Sequence, residues 1–149
     1  MTKRILMPTD GSSCSEHAIR EGLALAKSLD AQVTFLAAVE DPRTALHSVH
    51  DATQFMPEFR EELRKTAEQA LTRATSLAEE AGVTAETKLV ERQSPIQAIH
   101  DAEENADMVV MGTHGRRGFN HMLFGSVAEG ALRRSDKPYV LIRSKNGEA

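Results

Sequence analysis

The hydrophobic positions of this chain alternate between short continuous runs and longer helical stripes. Apolar runs at Arg4–Pro8 and Gln32–Val39 predict two buried strands. Between them, apolar residues recur at helical spacing from Ala18 to Leu29, which predicts a helix. The clearest helical stripe covers residues 57–81 and stops before Gly82, a residue typical of helix ends.

The second half of the chain continues the alternation of strands and helices. The predicted elements are a less buried strand over residues 84–90, a helix beginning at Ser94 and Pro95, a strand over 107–111, a short helix from Gly125 to Arg134, and a strand over 139–143. At the start of the first helix, Ser13 and Glu16 fit a capping box. Ser126 and Glu129 fit a second one.

This order of elements predicts an α/β fold with an open five-stranded parallel sheet and helices on both faces. Right-handed crossovers leave few strand orders, and 3-2-1-4-5 is the one we expect, as in Rossmann-like nucleotide-binding folds. In that order, the first strand ends at Thr9 and Asp10 beside the end of the fourth strand at Gly112. Open sheets of this kind bind ligands at that point.

Length and composition indicate one globular domain over residues 1–149, because 149 residues with 40% hydrophobic content can form a sizeable core. We expect residues 41–57 to form a long, flexible connection and 144–149 to form a frayed polar tail. The net charge of -4 disfavours general nucleic-acid binding. We expect no membrane insertion because no apolar run is long enough, and the lone Cys14 fits a cytoplasmic location.

A glycine-rich segment follows the fourth predicted strand. Residues 112–130 contain five glycines, two arginines and two histidines. Glycines allow backbone N–H groups to approach a ligand, and the following helix N-terminus favours anions, so a polyphosphate is the expected guest. Arg116 and Arg117 can neutralise phosphate charge. The segment lacks the Gly-Lys-Ser/Thr of a P-loop, and no GxGxxG follows the first strand.

The glycine spacing is similar to that of a known family. Gly112-Thr-His-Gly115, nine residues and Gly125-Ser126 match the pattern G-x2-G-x9-G-[S/T] of the ATP-binding universal stress proteins. The opening ILMPTDGS, the length and the order of elements also resemble that family, over nearly the whole chain.

The resemblance implies a domain that binds ATP, usually with Mg²⁺ or Mn²⁺, and often dimerises. It implies phosphate and ribose contacts from the spaced glycines and Ser126, and adenosine contacts from the end of the first strand. The complete set of expected nucleotide-binding residues is Pro8, Thr9, Asp10, Val39, Met111, Gly112, Thr113, His114, Gly115, Arg116, Arg117, Gly125, Ser126 and Val127. The sequence contains no compact carboxylate cluster from which the metal ligands can be identified.

Simpler structural roles compete with these assignments. The Ser126 hydroxyl can cap a helix instead of contacting phosphate, and Asp10 can form an Asx turn before Gly11. Arg116 and Arg117 can be a solvated loop face, and His114 an exposed loop histidine. Cys14 fits burial as a small apolar residue better than a reactive thiol.

Three functions remain open from the sequence. The first is an ATP-binding regulatory protein of the stress response whose nucleotide state tunes its conformation, its oligomerisation or a protein effector such as a transporter. The second is a slow ATPase or phosphotransferase, since no convincing catalytic base is present. The third is an interaction domain with a vestigial site. The apolar fifth strand, at Val140, Leu141 and Ile142, predicts a homodimer or a higher oligomer through a sheet edge.

Overall fold

A computed structural model describes residues 3–41, 56–114 and 124–144 of the chain. The elements are β1 Arg4–Pro8, α1 Ser13–Ser28, β2 Gln32–Val39, α2 Met56–Ala81, β3 Ala85–Glu91, α3 Pro95–Ala102, a 3₁₀ turn Glu103–Asn105, β4 Met108–Gly112, α4 Ser126–Arg134 and β5 Tyr139–Ile142. Each predicted strand and helix forms, and the strand ends lie within one residue of the predicted ones.

The strands form one parallel sheet in the order β3-β2-β1-β4-β5, which confirms the predicted order. Helices α1 and α2 cover one face, where Phe35 of β2 is fully buried. Helices α3 and α4 cover the other face, where the next residue, Leu36, is buried. This alternation follows from the two-residue period of a strand, and it makes each apolar strand serve two cores.

The cap of helix α1 lies one residue earlier than predicted. Ser12 has extended backbone angles, φ -69° and ψ 161°, and its side chain accepts a hydrogen bond from the Ser15 N–H at 3.1 Å. The predicted capping box at Ser13 is therefore wrong, because Ser13 is already helical. Its supposed partner Glu16 instead pairs with Arg73 of α2. Ser94 caps α3 as predicted, accepting from the Gln97 N–H at 3.2 Å.

The two irregular segments predicted from the sequence fall mostly outside the described residues. Residues 42–55 of the predicted connection lie there, and its last two positions already belong to α2. Residues 145–149 of the predicted tail lie there as well. The single domain, the flexible connection and the frayed tail stay predictions.

One glycine of the glycine-rich segment serves helix packing. A Cβ added to Gly130 in α4 would lie 2.5 Å from Cδ1 and 3.2 Å from Cγ1 of Ile96 in α3. Such contacts are too short for a methyl group, so the missing side chain lets the two helices approach. Because Pro95 of α3 and Ser126 of α4 line the same cavity, this contact sets the spacing of two cavity walls.

We expect Gly130→Ala to destabilise the protein in spite of alanine's higher helix propensity. Overpacking typically costs about 1–3 kcal/mol, against a propensity gain of about 1 kcal/mol. The double variant Gly130→Ala/Ile96→Val lacks the Cδ1 atom that clashes, so it should recover part of the lost stability. Urea unfolding of the two variants and of Ile96→Val alone measures this. A double variant less stable than the sum of the single effects would contradict the packing explanation.

A buried carboxylate joins the 3₁₀ turn after α3 to the start of β5. Glu103 is 5% exposed and accepts hydrogen bonds from the Ser135 hydroxyl, at 2.7 Å, and from the Tyr139 hydroxyl. Burial raises the pKa of the Tyr139 phenol, and the hydrogen bond and charge of Glu103 raise this pKa further. The folded protein therefore favours the neutral phenol over the phenolate.

This shift predicts a loss of stability at alkaline pH. Because the folded protein holds the Tyr139 proton more tightly than the unfolded chain does, its contribution is complete below about pH 10 and is lost as pH rises further. Tyr139→Phe removes this titration, so its free energy of unfolding should fall less steeply above about pH 10. Urea unfolding of both proteins at several alkaline pH values compares the slopes. Equal slopes would show that the phenol titrates normally.

Candidate functional site

A cavity of about 310 Å³ opens at the carboxyl ends of β1, β2 and β4. This volume lies at the lower end of the range of small-molecule sites, about 300 to 1,000 Å³. Its position is the switch point of the strand order, where the sequence predicted a ligand. The described lining residues are Pro8, Thr9, Asp10, Ser15, Leu36, Ala38, Glu40, Pro95, Ile99, Met111, Gly112, Thr113, His114, Gly125, Ser126, Val127 and Ala128.

The turn after β1 fixes the Asp10 carboxylate at the edge of the cavity. Asp10 Oδ1 accepts a hydrogen bond from the Ser12 N–H at 2.9 Å, which is an Asx turn. Gly11 has a φ of +78°, a conformation that glycine adopts without strain. The Asx turn expected as an alternative role for Asp10 is thus present, and the same side chain also lines the cavity.

Two hydroxyl groups are buried behind this turn. Thr9 and Ser15 are each 7% exposed, and their hydroxyl oxygens lie 3.2 Å apart. Thr9 Oγ1 accepts the Gly11 N–H at 3.2 Å, and Ser15 Oγ accepts the Asp10 N–H at 3.3 Å. Both residues line the cavity, so a polar pair sits in its wall next to Asp10.

Helix α4 directs its N-terminus at the cavity. Gly125 is the N-cap, and the first intrahelical bond runs from the Glu129 N–H to the Gly125 carbonyl. The N–H groups of Ser126, Val127 and Ala128 therefore have no partner within the helix, and all three residues line the cavity. Together with the helix dipole, they offer an anion site.

The end of β4 closes the glycine-rich loop at its base. The Thr113 N–H donates to the Ile142 carbonyl of β5 at 3.0 Å, and the Thr113 carbonyl accepts from the Gly125 N–H. These bonds hold the start of α4 beside the end of β4. Gly112 is the last residue of β4, and a Cβ there would face Cys14 and Ala18 of α1 at 3.4 Å or more.

The structure decides between several alternatives left by the sequence. Ser126 is the first helical residue and not the cap, and Glu129 bonds to Arg133, so the predicted Ser126 capping box is wrong. Cys14 is buried, as predicted, with its Sγ 3.2 Å from Ser144 Oγ. His114 is partly buried, with Nδ1 3.0 Å from Thr113 Oγ1, so its reading as an exposed loop histidine is wrong.

Most of the predicted nucleotide-binding residues that the structure describes lie together in the cavity wall. The exception is Val39, whose side chain is buried in the core of the α1 and α2 face, while Ala38 and Glu40 on either side line the cavity. Gly115, Arg116 and Arg117 lie outside the described residues.

Sequence reasoning missed several lining residues. These are Ser15, Leu36, Ala38, Glu40, Pro95, Ile99 and Ala128. The period of the strand places Leu36 and Ala38 on one face of β2, with Glu40 directly after the strand, and helical spacing places Pro95 and Ile99 on one side of α3. The sequence shows which residues share a face of β2 or α3, but it does not show which of the two faces meets the cavity.

Two kinds of feature are absent from the described residues. Within residues 3–41, 56–114 and 124–144, no three histidine, cysteine or carboxylate side chains are grouped so as to hold a metal ion. In the same ranges, none of the helices has the length and apolar character that a membrane span requires.

Comparisons with known proteins agree with this architecture. A family model described as "Universal stress protein family" matches residues 1–143. Universal stress protein MJ0577 from Methanocaldococcus jannaschii is 30% identical over 159 aligned positions, covering 98% of each chain. A solved structure of MJ0577 superposes with a TM-score of 0.80 at 25% identity, covering 99% of both chains.

Two more distant solved structures are described as complexes with nucleotides. A universal stress protein described as a complex with cAMP has a TM-score of 0.67 at 21% identity, covering 95% of this chain and 97% of its own. The universal stress protein from Archaeoglobus fulgidus, described as a complex with dAMP, has a TM-score of 0.66 at 20% identity and the same coverages.

Proposed function

This chain belongs to the universal stress protein family, and we propose that it is a regulatory protein that binds ATP in the cavity between β1, β2 and β4. The observation that carries the proposal is the start of α4. Three backbone N–H groups without helical partners line a cavity whose other described walls carry apolar side chains, hydroxyl groups and the carboxylates of Asp10 and Glu40. An anion with an attached apolar ring system is the ligand that such a wall fits.

Each part of ATP has a matching part of the wall. The phosphates lie against the N–H groups of Ser126 and Val127, at the foot of the glycine-rich loop. The base lies between Leu36, Ala38 and Ile99, which are the apolar side chains of β2 and α3 that line the cavity. Because β1 lies between β2 and β4, the pentose lies at Thr9 and Asp10.

The two distant relatives support the proposal because both are described as complexes with a nucleotide. One is described with cAMP and the other with dAMP, and both are adenine nucleotides. Their identity with this chain is only 20–21%, so they support the class of ligand and not the contacts.

The negative charge of a bound triphosphate must be balanced by positive charge from the glycine-rich loop or from a divalent ion. The charged side chains among the described lining residues are the carboxylates of Asp10 and Glu40, which do not favour a triphosphate. We assign the balancing charge to Arg116 and Arg117 and to Mg²⁺ or Mn²⁺. Magnesium commonly binds through one or two carboxylates and substrate phosphates, so Asp10 fits it without a dedicated metal cluster.

Regulation follows if ATP binds one conformation better than another. A ligand shifts an equilibrium only by its differential affinity for the two states. The glycine-rich loop and the start of α4 are the parts that ATP would hold in place. The nucleotide state would thereby change the surface that a cytoplasmic protein effector, such as a transporter domain, contacts.

We also propose a homodimer through β5, the edge strand next to β4. Its four residues are all partly buried in the described chain, so a partner strand would cover further apolar surface. Light scattering at micromolar concentration should give twice the chain mass. A monomer at that concentration would contradict the proposal.

Mass spectrometry of the small molecules released from the purified protein tests the nucleotide directly. We expect ATP from the natural chain and much less from a Gly115→Ala/Gly125→Ala variant. Gly125 has an ordinary φ of -72°, so alanine can adopt its backbone and the added methyl acts at the cavity wall. If the natural chain releases no nucleotide and takes up no added ATP, the third function, an interaction domain with a vestigial site, is favoured.

A further inference from the structure

Arg92, in the connection between β3 and α3, has an unusual backbone conformation. Its φ is +62°, and in the described part of the chain the only other residue besides glycine with a positive φ is Asp30, at +50°. A side chain makes this left-handed conformation costly, and aspartate tolerates it better than arginine does. Residues held in such conformations are concentrated at ligand sites and active sites. The side chain of Arg92 is therefore a candidate for a role that glycine could not serve.

Arg92 lies at the rim of the cavity, on the side of β2. It follows β3 directly, and its N–H donates to the Val39 carbonyl at the end of β2, at 2.8 Å. The two neighbours of Val39, Ala38 and Glu40, line the cavity, and Pro95 at the start of α3 lines it as well. The backbone of Arg92 is thus held between two parts of the cavity wall.

The guanidinium group of Arg92 is available to a ligand. Arg92 is exposed, and in the described part of the chain no carboxylate forms a salt bridge with it. The neighbouring carboxylate of Glu91 pairs with Arg64 of α2 instead, with Arg64 Nε 3.6 Å from Glu91 Oε1. An unpaired cation therefore stands beside a cavity whose wall carries the carboxylates of Asp10 and Glu40.

The position of Arg92 selects the base of a nucleotide and not its phosphates. Neighbouring strands are about 4.8 Å apart, so the end of β3 lies one strand from β2 and three strands, about 14 Å, from β4. In the proposed complex the base lies against Leu36 and Ala38 of β2, whereas the phosphates lie at the start of α4, beside β4. A planar guanidinium group stacks on aromatic faces, and adenine offers such a face.

We propose that Arg92 closes the cavity over the base of the bound nucleotide, with its guanidinium group stacked on the face that the apolar wall leaves open. Arg92 stands next to the described lining residues and not among them, so the contact forms when the exposed side chain turns inwards over the ligand. This inference rests on the proposed function. It adds a base-binding residue from the connection between β3 and α3.

Two variants of Arg92 separate the side chain from the backbone. Arg92→Gly and Arg92→Ala both remove the guanidinium group, but only glycine adopts the left-handed backbone without strain. Arg92→Gly should therefore be the more stable of the two in urea unfolding, which reverses the usual order of these residues. Both variants should weaken ATP binding equally, by roughly twofold to thirtyfold, the range of a cation–π contact.

Titration of ATP, adenosine and tripolyphosphate by calorimetry identifies the part of the ligand that meets Arg92. The loss in Arg92→Gly should be equal for ATP and adenosine, which share the base, and absent for tripolyphosphate. Asp30→Gly is the matched control, because it relieves the other left-handed residue in the turn between α1 and β2, at the opposite end of the strands. It should leave all three affinities unchanged. Thermal unfolding shows that each compared protein is folded.

The outcomes separate this inference from the proposed function. Unchanged ATP affinity in both Arg92 variants, or a loss shared by ATP and tripolyphosphate but not by adenosine, would overturn the stacked base while ATP binding stands. A loss in Arg92→Gly that is absent in Arg92→Ala would assign the effect to the backbone of the turn and overturn the role of the guanidinium group. A natural chain that binds no ATP would overturn the proposed function itself, and the contact with it.

Discussion

Replacement of Ser126 by proline is expected to weaken ATP binding by about tenfold to about 150-fold while helix α4 stays intact. Ser126 is the first residue of the helix, a position where proline is favoured because its N–H has no helical partner. The preceding Gly125 has a ψ of 163°, which a residue before proline readily adopts. The variant therefore removes a hydroxyl and one N–H from the proposed phosphate site with little strain.

The magnitude follows from the loss of one hydrogen bond to a charged group, about 1.5–3 kcal/mol. Calorimetric titration of ATP measures it, with Ser126→Ala as the matched variant that keeps the N–H and should lose less. Adenosine, which has no phosphate, should bind all three proteins alike. A proline variant that binds ATP as tightly as the alanine variant would show that this N–H does not contact phosphate.

Replacement of Phe35 by alanine is expected to lower the free energy of unfolding by about 3–5 kcal/mol, the usual cost of such a cavity. Phe35 has no exposed surface, and it lies on the face of β2 that packs against the core of α1 and α2. In a chain of this size the change corresponds to a fall in Tm of about 6 to about 20 °C. Phe35→Leu removes less volume, so its free energy of unfolding should lie between those of the natural chain and Phe35→Ala.

The same variant separates stability from binding. Leu36, the next residue, lines the cavity from the other face of β2. Since Phe35 points away from the cavity, the folded Phe35→Ala protein should bind ATP with unchanged affinity, and ATP should raise the free energy of unfolding of both proteins equally. A Tm within about 2 °C of the natural chain would contradict its place in the core. If the folded Phe35→Ala protein bound ATP more weakly, the two faces of β2 would not act separately on stability and binding.

The fold was predictable from the sequence because each of its determinants is local. Continuous apolar runs such as Gln32–Val39 occur in strands buried on both faces, and helical stripes between them require crossovers of one hand. These two facts leave few strand orders, including the observed one, which places Asp10 beside the end of β4 at Gly112. The cavity at the switch point was therefore expected before its walls were known.

The errors arose where the outcome depends on contacts between elements distant in the chain. Gly130 looked like part of a ligand loop, but its reason is Ile96 on another helix, a contact that spacing does not reveal. The Thr9 and Ser15 pair depends on how the start of α1 lies over the end of β1. The cap of α1 moved from Ser13 to Ser12, since in a run of serines the backbone angles decide which one caps.

Titration of ATP into nucleotide-free protein, followed by calorimetry in the presence of Mg²⁺, tests the central proposal most directly. We predict saturable binding of one ATP per chain, abolished or strongly weakened in the Gly115→Ala/Gly125→Ala variant. If the folded natural chain gives no binding heat at millimolar ATP and ATP does not raise its Tm, the cavity at the end of β1 and β4 is not an ATP site.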